Sequence, residues 1–298
     1  MITGVCPVLS VPFNENGQVD YESFSHLVEW IVSLDVKNVL MFGIASENIK
    51  LNDDERIKLL KTLISARGSS GLQVIASVAD HSSDLAVIRA QSYEAIGADY
   101  INILPPTYFA PSVDQVLFHI SEILESVKVP VIVQHLPQAG GLEDPSQIVA
   151  LSKRYKNLVM IKCEAVPPDL TIEKVKELSQ DRIKTLVGWG GLSWEAGVRL
   201  GAVGVQPGCS LTDLYLWAEL ALNEGDTLEF QRRLNLFLPT IEKWLKNIEL
   251  LIAAEKRILM ERKIITTDYC RNPTVHISTE NYDEISRMLR LLDQEGVQ

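Results

Sequence analysis

Short apolar runs alternate with amphipathic stretches eight times between residues 5 and 206, and this alternation restricts the fold more than any motif in the chain. Strands separated by helices pair in parallel, because a crossover helix carries the chain back to the starting edge. The runs predict strands over 5–12, 36–42, 72–78, 100–104, 130–134, 158–162, 183–187 and 203–206. Helical spacing predicts helices over 21–34, 83–96, 112–126, 145–154, 171–178 and 194–200. A further helix ends at Ala66 and is opened by Asn52, with Glu55 three residues on, in the form of a capping box. Eight strand–helix units favour a (β/α)8 TIM barrel, with a doubly wound sheet as the alternative. From residue 211 onward the pattern is helical only, with candidates over 214–222, 230–238, 241–261 and 280–292. The expected organisation is barrel strands and helices over 1–210, then the last barrel helix and a C-terminal helical region over 211–298.

The run at 158–161 (Leu-Val-Met-Ile) has the character of a strand covered on both faces, yet it ends in Lys162. A desolvated ammonium is costly, so a lysine there either snorkels into water or works as an amine. Desolvation lowers a lysine's pKa and supplies the neutral amine that a Schiff base with a ketone requires. In a (β/α)8 barrel the reacting groups gather at the C-terminal strand ends. Those ends carry Ser46 and Glu47, Asp80 and His81, Thr107, Tyr108 and Phe109, Gln134 and His135, Lys162 and Glu164, Trp189, and Gln206. Lys162 is the sole lysine among them. Alternation along a strand puts Lys162 and Glu164 on one side, where the carboxylate can relay protons or simply form an ion pair.

Other chemistries fit poorly. The histidines His26, His81, His119, His135 and His276 show no HExxH spacing and no neighbouring ligands, so no metal site is expected. Gly188-Trp-Gly-Gly191 suggests a tight turn more than a phosphate cradle. With no GxGxxG, GxxxxGK[ST] or GxSxG, no cofactor is expected. The net charge of -11 disfavours nucleic acid and anionic membrane as partners. No apolar run is long enough for a membrane span, and residues 1–5 do not begin a secretory signal. Cys6, Cys163, Cys209 and Cys270 are scattered without a CxxC pair, which fits reduced thiols and a cytoplasmic setting.

Several spaced motifs, in order over essentially the whole chain, make the sequence resemble the dihydrodipicolinate synthase / N-acetylneuraminate lyase family. They are residues 4–13 with Gly17 and Asp20, Phe42-Gly43 leading to Glu47 and Leu51, and Asp54-Glu-Arg56. Pro106 with Tyr108 and Pro111, Val129-Pro130, Ile161-Lys162, Glu255-Lys256 to Leu259 and Arg271-Asn-Pro273 continue the match. The resemblance implies a (β/α)8 barrel, usually a homotetramer built from dimers, and an imine between a lysine and pyruvate or another 2-oxo acid. On the matching strand that lysine is Lys162.

Departures from the family pattern accompany the match. Ile44 and Ala45 stand where the family carries hydroxyls that help hold the substrate carboxylate, leaving backbone N–H groups and Ser46. The family's tyrosine on strand five, its proton shuttle, is Gln134 here, and an amide is neither acid nor base near neutrality. The arginine that dihydrodipicolinate synthases use for their second substrate is Ala139. Directly after the lysine comes Cys163, with the acid one place later as Glu164. These readings nominate Lys162, Glu164, Tyr108 and Gln134 as catalytic, and Ala45, Ser46, His135, Gly188 and Gln206 as substrate-binding. The expected activity is a Schiff-base lyase, an aldolase or dehydratase, for a 2-oxo acid such as a 2-keto-3-deoxy sugar acid. The alternatives are condensation of pyruvate with an aldehyde, a barrel that only binds or senses a metabolite, and a metal-dependent barrel enzyme. The expected partners are that small molecule and further copies of the chain, as a dimer or tetramer.

Overall fold

The computed structural model describes residues 1–139, 142–165 and 169–295. Its strands are β1 (Gly4–Val5), β2 (Asn38–Met41), β3 (Gln73–Val78), β4 (Tyr100–Ile103), β5 (Val131–His135), β6 (Leu158–Cys163), β7 (Lys184–Val187) and β8 (Gly204–Val205). The helices that follow them in turn are α1 (Tyr21–Ser33), α2 (Asp53–Arg67), α3 (Ser83–Ile96), α4 (Val113–Ser126), α5 (Pro145–Arg154), α6 (Asp169–Ser179), α7 (Trp194–Leu200) and α8 (Thr212–Asn223). Then come α9 (Thr227–Leu245), α10 (Ile248–Glu261) and α11 (Thr279–Gln294). This is the (β/α)8 TIM-barrel fold with a C-terminal helical extension, as the alternation predicted.

The chain divides into two compact units, residues 1–3 with 73–205 and residues 4–72 with 206–298. In the first unit β3 to β8 pair in chain order, each parallel to the next. Val74, Ile75, Ile101, Ile132, Ile161 and Leu186 are buried, as strands covered on both faces require. One irregularity matters for function. Val131 pairs with Leu158 but Ile132 pairs with Met160, so Val159 is an extra residue on β6. Beyond this bulge the register places Gln134 opposite Lys162. An unbulged ladder would have put Ile161 there and turned the lysine to the other face.

In the second unit the strand expected over 5–12 is shorter. Only 4–5 are ladder-paired, and Val8 makes isolated parallel bridges to Leu40 and Gly208. Pro7 has no N–H to contribute, so the chain bonds through the Pro7 carbonyl and the Val8 N–H (2.9 and 2.8 Å to Leu40 N and Pro207 O).

Two C-terminal boundaries also differ from expectation. The helix read over 230–238 continues through Pro239 to Leu245. An interior proline removes one backbone bond and costs about 3 kcal/mol. Buried Phe230, Leu234 and Phe237 before it, and Ile241 and Trp244 after it, hold both halves in one helix. The helix read over 241–261 is instead broken before Ile248, where Asn247 leaves helical geometry (φ -138°) and its side chain accepts the N–H groups of Glu249 and Leu250.

Candidate active site

Lys162 is the penultimate residue of β6, with 6% of its surface exposed, and Glu164 lies just beyond the strand with 4% exposed. The extended backbone persists past the strand, because Glu164 N–H donates to the His135 carbonyl at 2.9 Å. The two side chains therefore share one side, with Lys162 Nζ 3.2 Å from Glu164 Oε1. A buried charge with no partner is strongly unfavourable, so each of these residues makes the other tolerable.

The Glu164 carboxylate is held from three directions. Oε1 meets Lys162 and accepts the Trp189 N–H at 3.1 Å, while Oε2 accepts Gln134 Nε2. Gln138 Nε2 donates to the Glu164 carbonyl. Trp189 and Gly190 adopt left-handed backbone (φ 49° and 61°), which turns the Trp189 N–H inward. Gly188 packs against the carboxylate: a Cβ there would overlap Oε1, Cγ and Cδ of Glu164. Between Lys162 and Glu164, Cys163 faces the opposite side of the strand. Burial pushes its thiol far up, so it offers no competing nucleophile.

Gln134 is itself anchored. Its Oε1 accepts Asn102 Nδ2 at 3.3 Å, and the same Asn102 nitrogen lies 2.9 Å from Ser77 Oγ. The two other candidates of this unit lie apart from this cluster. His135 follows Gln134 on β5 and so takes the other face; its Nε2 hydrogen-bonds the Glu143 carbonyl at 3.3 Å. Burial holds that imidazole below its ordinary value. Tyr108 stands on the loop after β4 with 83% of its surface exposed, its ring edge-on to Phe109 (5.1 Å between centroids) and His81 (6.3 Å).

In the second unit, Ile44–Ser46 forms a 3₁₀ turn with Ala45 and Ser46 buried. Ser46 Oγ donates to the Leu9 carbonyl at 2.6 Å, so the hydroxyl already serves the backbone. Glu47 follows in left-handed geometry (φ 49°) and is clamped by Lys256, by Lys50 at 3.1 Å and by the Arg271 N–H at 3.1 Å. Lys256 also reaches the Tyr269 carbonyl (2.9 Å) and lies 4.1 Å from the centroid of the Phe13 ring. Burial lowers its pKa and Glu47 acts in the opposite sense. Gln206 is buried, with Nε2 3.4 Å from Cys6 Sγ.

Asn102, Ser77, Gln138 and the Lys256 clamp are absent from the sequence-based candidates. Asn102 did leave a signal, as a polar residue inside the apolar run at 100–103.

Comparison with known proteins shows the family. The model of the dihydrodipicolinate synthetase family matches residues 1–292. The chain belongs to that family. Among family relatives, the 4-hydroxy-tetrahydrodipicolinate synthase of Agrobacterium fabrum is 29% identical over 202 residues, 67% of this chain and 66% of that protein. That of Bartonella bacilliformis is 27% identical over 163 residues, 54% of this chain and 55% of that protein. The match thus spans less than two thirds of either relative's length. A crystal structure of dihydrodipicolinate synthase from Rhodopseudomonas palustris superposes with a TM-score of 0.89 over 97% of both chains at 21% identity, and supports the barrel fold. Among the described residues no helix is long and apolar enough to cross a membrane.

Proposed function

We propose that this chain is a class I lyase, an aldolase or dehydratase, that forms an imine between Lys162 and pyruvate or another 2-oxo acid. The observation that carries the reading is the buried Lys162–Glu164 pair at the end of β6, held at 3.2 Å. Glu164 takes a proton from the Lys162 ammonium and frees the amine. The amine adds to the C2 carbonyl, and the resulting hydroxyl leaves as water with the proton that Glu164 returns. The imine withdraws electrons, so Glu164 can next remove a C3 proton and leave an enamine. That enamine adds to an aldehyde in condensation, or in dehydration expels the C4 hydroxyl as water with the proton Glu164 took from C3. In aldol cleavage Glu164 takes the C4-hydroxyl proton, the C3–C4 bond breaks, an aldehyde departs and the enamine stays on Lys162.

Gln134 orients the carboxylate and cannot itself carry a proton. With Ala139 where dihydrodipicolinate synthases have an arginine, the substrate best suited to the chain is a 2-keto-3-deoxy sugar acid. In the first unit Tyr108 remains proposed as catalytic and His135 and Gly188 as substrate-binding; in the second, Ala45, Ser46 and Gln206 remain proposed as substrate-binding. Exposed Tyr108, Phe109 and Phe118 suit contacts between copies in a homo-oligomer. Among the described residues the four cysteines form no disulfide, which suits a cytoplasmic setting.

Borohydride reduction in the presence of pyruvate or a panel of 2-keto-3-deoxy sugar acids tests the reading by intact mass and peptide mapping. An adduct on Lys162 is expected, and its loss in Lys162→Ala and Lys162→Arg, since a guanidinium stays protonated. Folded protein that traps none of these acids would overturn the mechanism. Rapid condensation of pyruvate with aspartate semialdehyde would overturn the substrate class.

A further inference from the structure

Buried polar side chains cross four neighbouring strands of the first unit in a line. Ser77 lies on β3, Asn102 on β4, Gln134 on β5 and Glu164 at the end of β6, and all four are buried. Ser77 pairs with Asn102 in the ladder, and Gln134 with Lys162. An amide can sit either way round, so the line needs a rule that sets its direction. The carboxylate provides it. A carboxylate only accepts, so Gln134 presents its NH2 to Glu164 and leaves Oε1 facing β4. Asn102 must then present its own NH2 to Gln134, and the same nitrogen reaches Ser77 Oγ.

We propose that Asn102 is a positioning residue for proton transfer: its amide fixes the rotamer of Gln134, which in turn holds Glu164 Oε2. The proposal rests on the reading of Glu164 as the proton carrier and deepens it. Without the Asn102 donor, Gln134 Oε1 is left buried without that partner, and the amide can swing about its last side-chain torsion, which is broad. Its NH2 still prefers the carboxylate, but no longer approaches it from one fixed position. Glu164 Oε1 would keep Lys162 and the Trp189 N–H, so the amine keeps its partner while the second oxygen loses its fixed place. Imine formation at Lys162 therefore survives, and removal of the C3 proton suffers, because proton transfer depends on where the base sits.

The test reads two steps of one protein: borohydride trapping of pyruvate on Lys162, and exchange of the pyruvate C3 protons for deuterium, followed by proton NMR. In Asn102→Leu, nearly isosteric and without a donor, exchange should fall about tenfold or more while trapping stays within about twofold. Asn102→Asp sets an acceptor against Gln134 Oε1 and should lose at least as much exchange. Gln134→Leu should show the same selective loss, and adding Asn102→Leu to it should cost no further exchange. Ser77→Ala, a mild change, should lower exchange about threefold and only where Gln134 is intact. Trapping and exchange falling together, exchange unchanged, or full additivity with Gln134→Leu would overturn the positioning role. Wild-type protein that traps no adduct overturns the reading of Lys162 and this proposal with it. Wild-type protein that traps and exchanges, beside variants that lose both equally, overturns the positioning role alone.

Discussion

A methyl group at position 188 would occupy the volume of the Glu164 side chain, and Glu164 cannot retreat without releasing Lys162, Gln134 or the Trp189 N–H. Gly188→Ala should therefore act as a displacement of the carboxylate rather than as a change in its chemistry. Deuterium exchange at C3 of pyruvate should fall about tenfold or more in a protein whose circular dichroism is unchanged. Exchange at the wild-type rate would mean that the carboxylate position does not limit proton transfer. At this scale the sequence was readable where a polar residue closed a buried run: Lys162, Glu164 and Gln134 all come from that logic. The contacts of those residues were less readable. Asn102 acts sideways across two strands, and Glu47 meets Lys256 from 209 residues away, a separation no local pattern bridges. The bulge at Val159 was equally hidden, although it decides which face Lys162 takes.

Elements followed local chemistry closely wherever caps and spacing agreed. The helices over 83–96, 145–154 and 194–200 have the expected bounds, and Asn52 with Glu55 forms the expected capping box. The misreading fell between α9 and α10. There an apolar face continues through the break, so periodicity runs on while Asn247 stops the first helix and caps the second. Asn247 is thus the residue that makes two helices of one pattern. Asn247→Ala removes the acceptor of two helix N–H groups and should cost about 1 kcal/mol. Equilibrium denaturation in urea would register that as a lower midpoint with an unchanged slope. A midpoint equal to wild type would assign the break to packing alone. Pro239 marks the limit of breaker rules, since burial on both flanks outweighs one lost bond.

For the whole molecule, alternation alone pointed to the barrel, because eight strand–helix units leave few topologies open. Its response to acid depends on groups the pattern does not display. Burial holds His119 and His135 below the ordinary imidazole value of 6.5. An unfolded chain takes up protons at both rings as the pH falls through that value, while the folded molecule still excludes them. The unfolded state then binds more protons, so stability falls below about pH 6.5 and these rings add no slope above it. The net charge of -11 acts oppositely, since acidification relieves self-repulsion. Comparison with a variant separates the two effects. His119→Gln keeps a polar partner for Ser83 Oγ, which lies 3.1 Å from the ring nitrogen, and leaves the acidic groups unaltered. Its melting temperature should fall less steeply than wild type between about pH 6.5 and 5.5, with parallel curves above that window. Curves parallel throughout would place the acid sensitivity elsewhere. A shallower slope would mean that a buried ring outside the Lys162–Glu164 pair contributes to the acid limit of the fold.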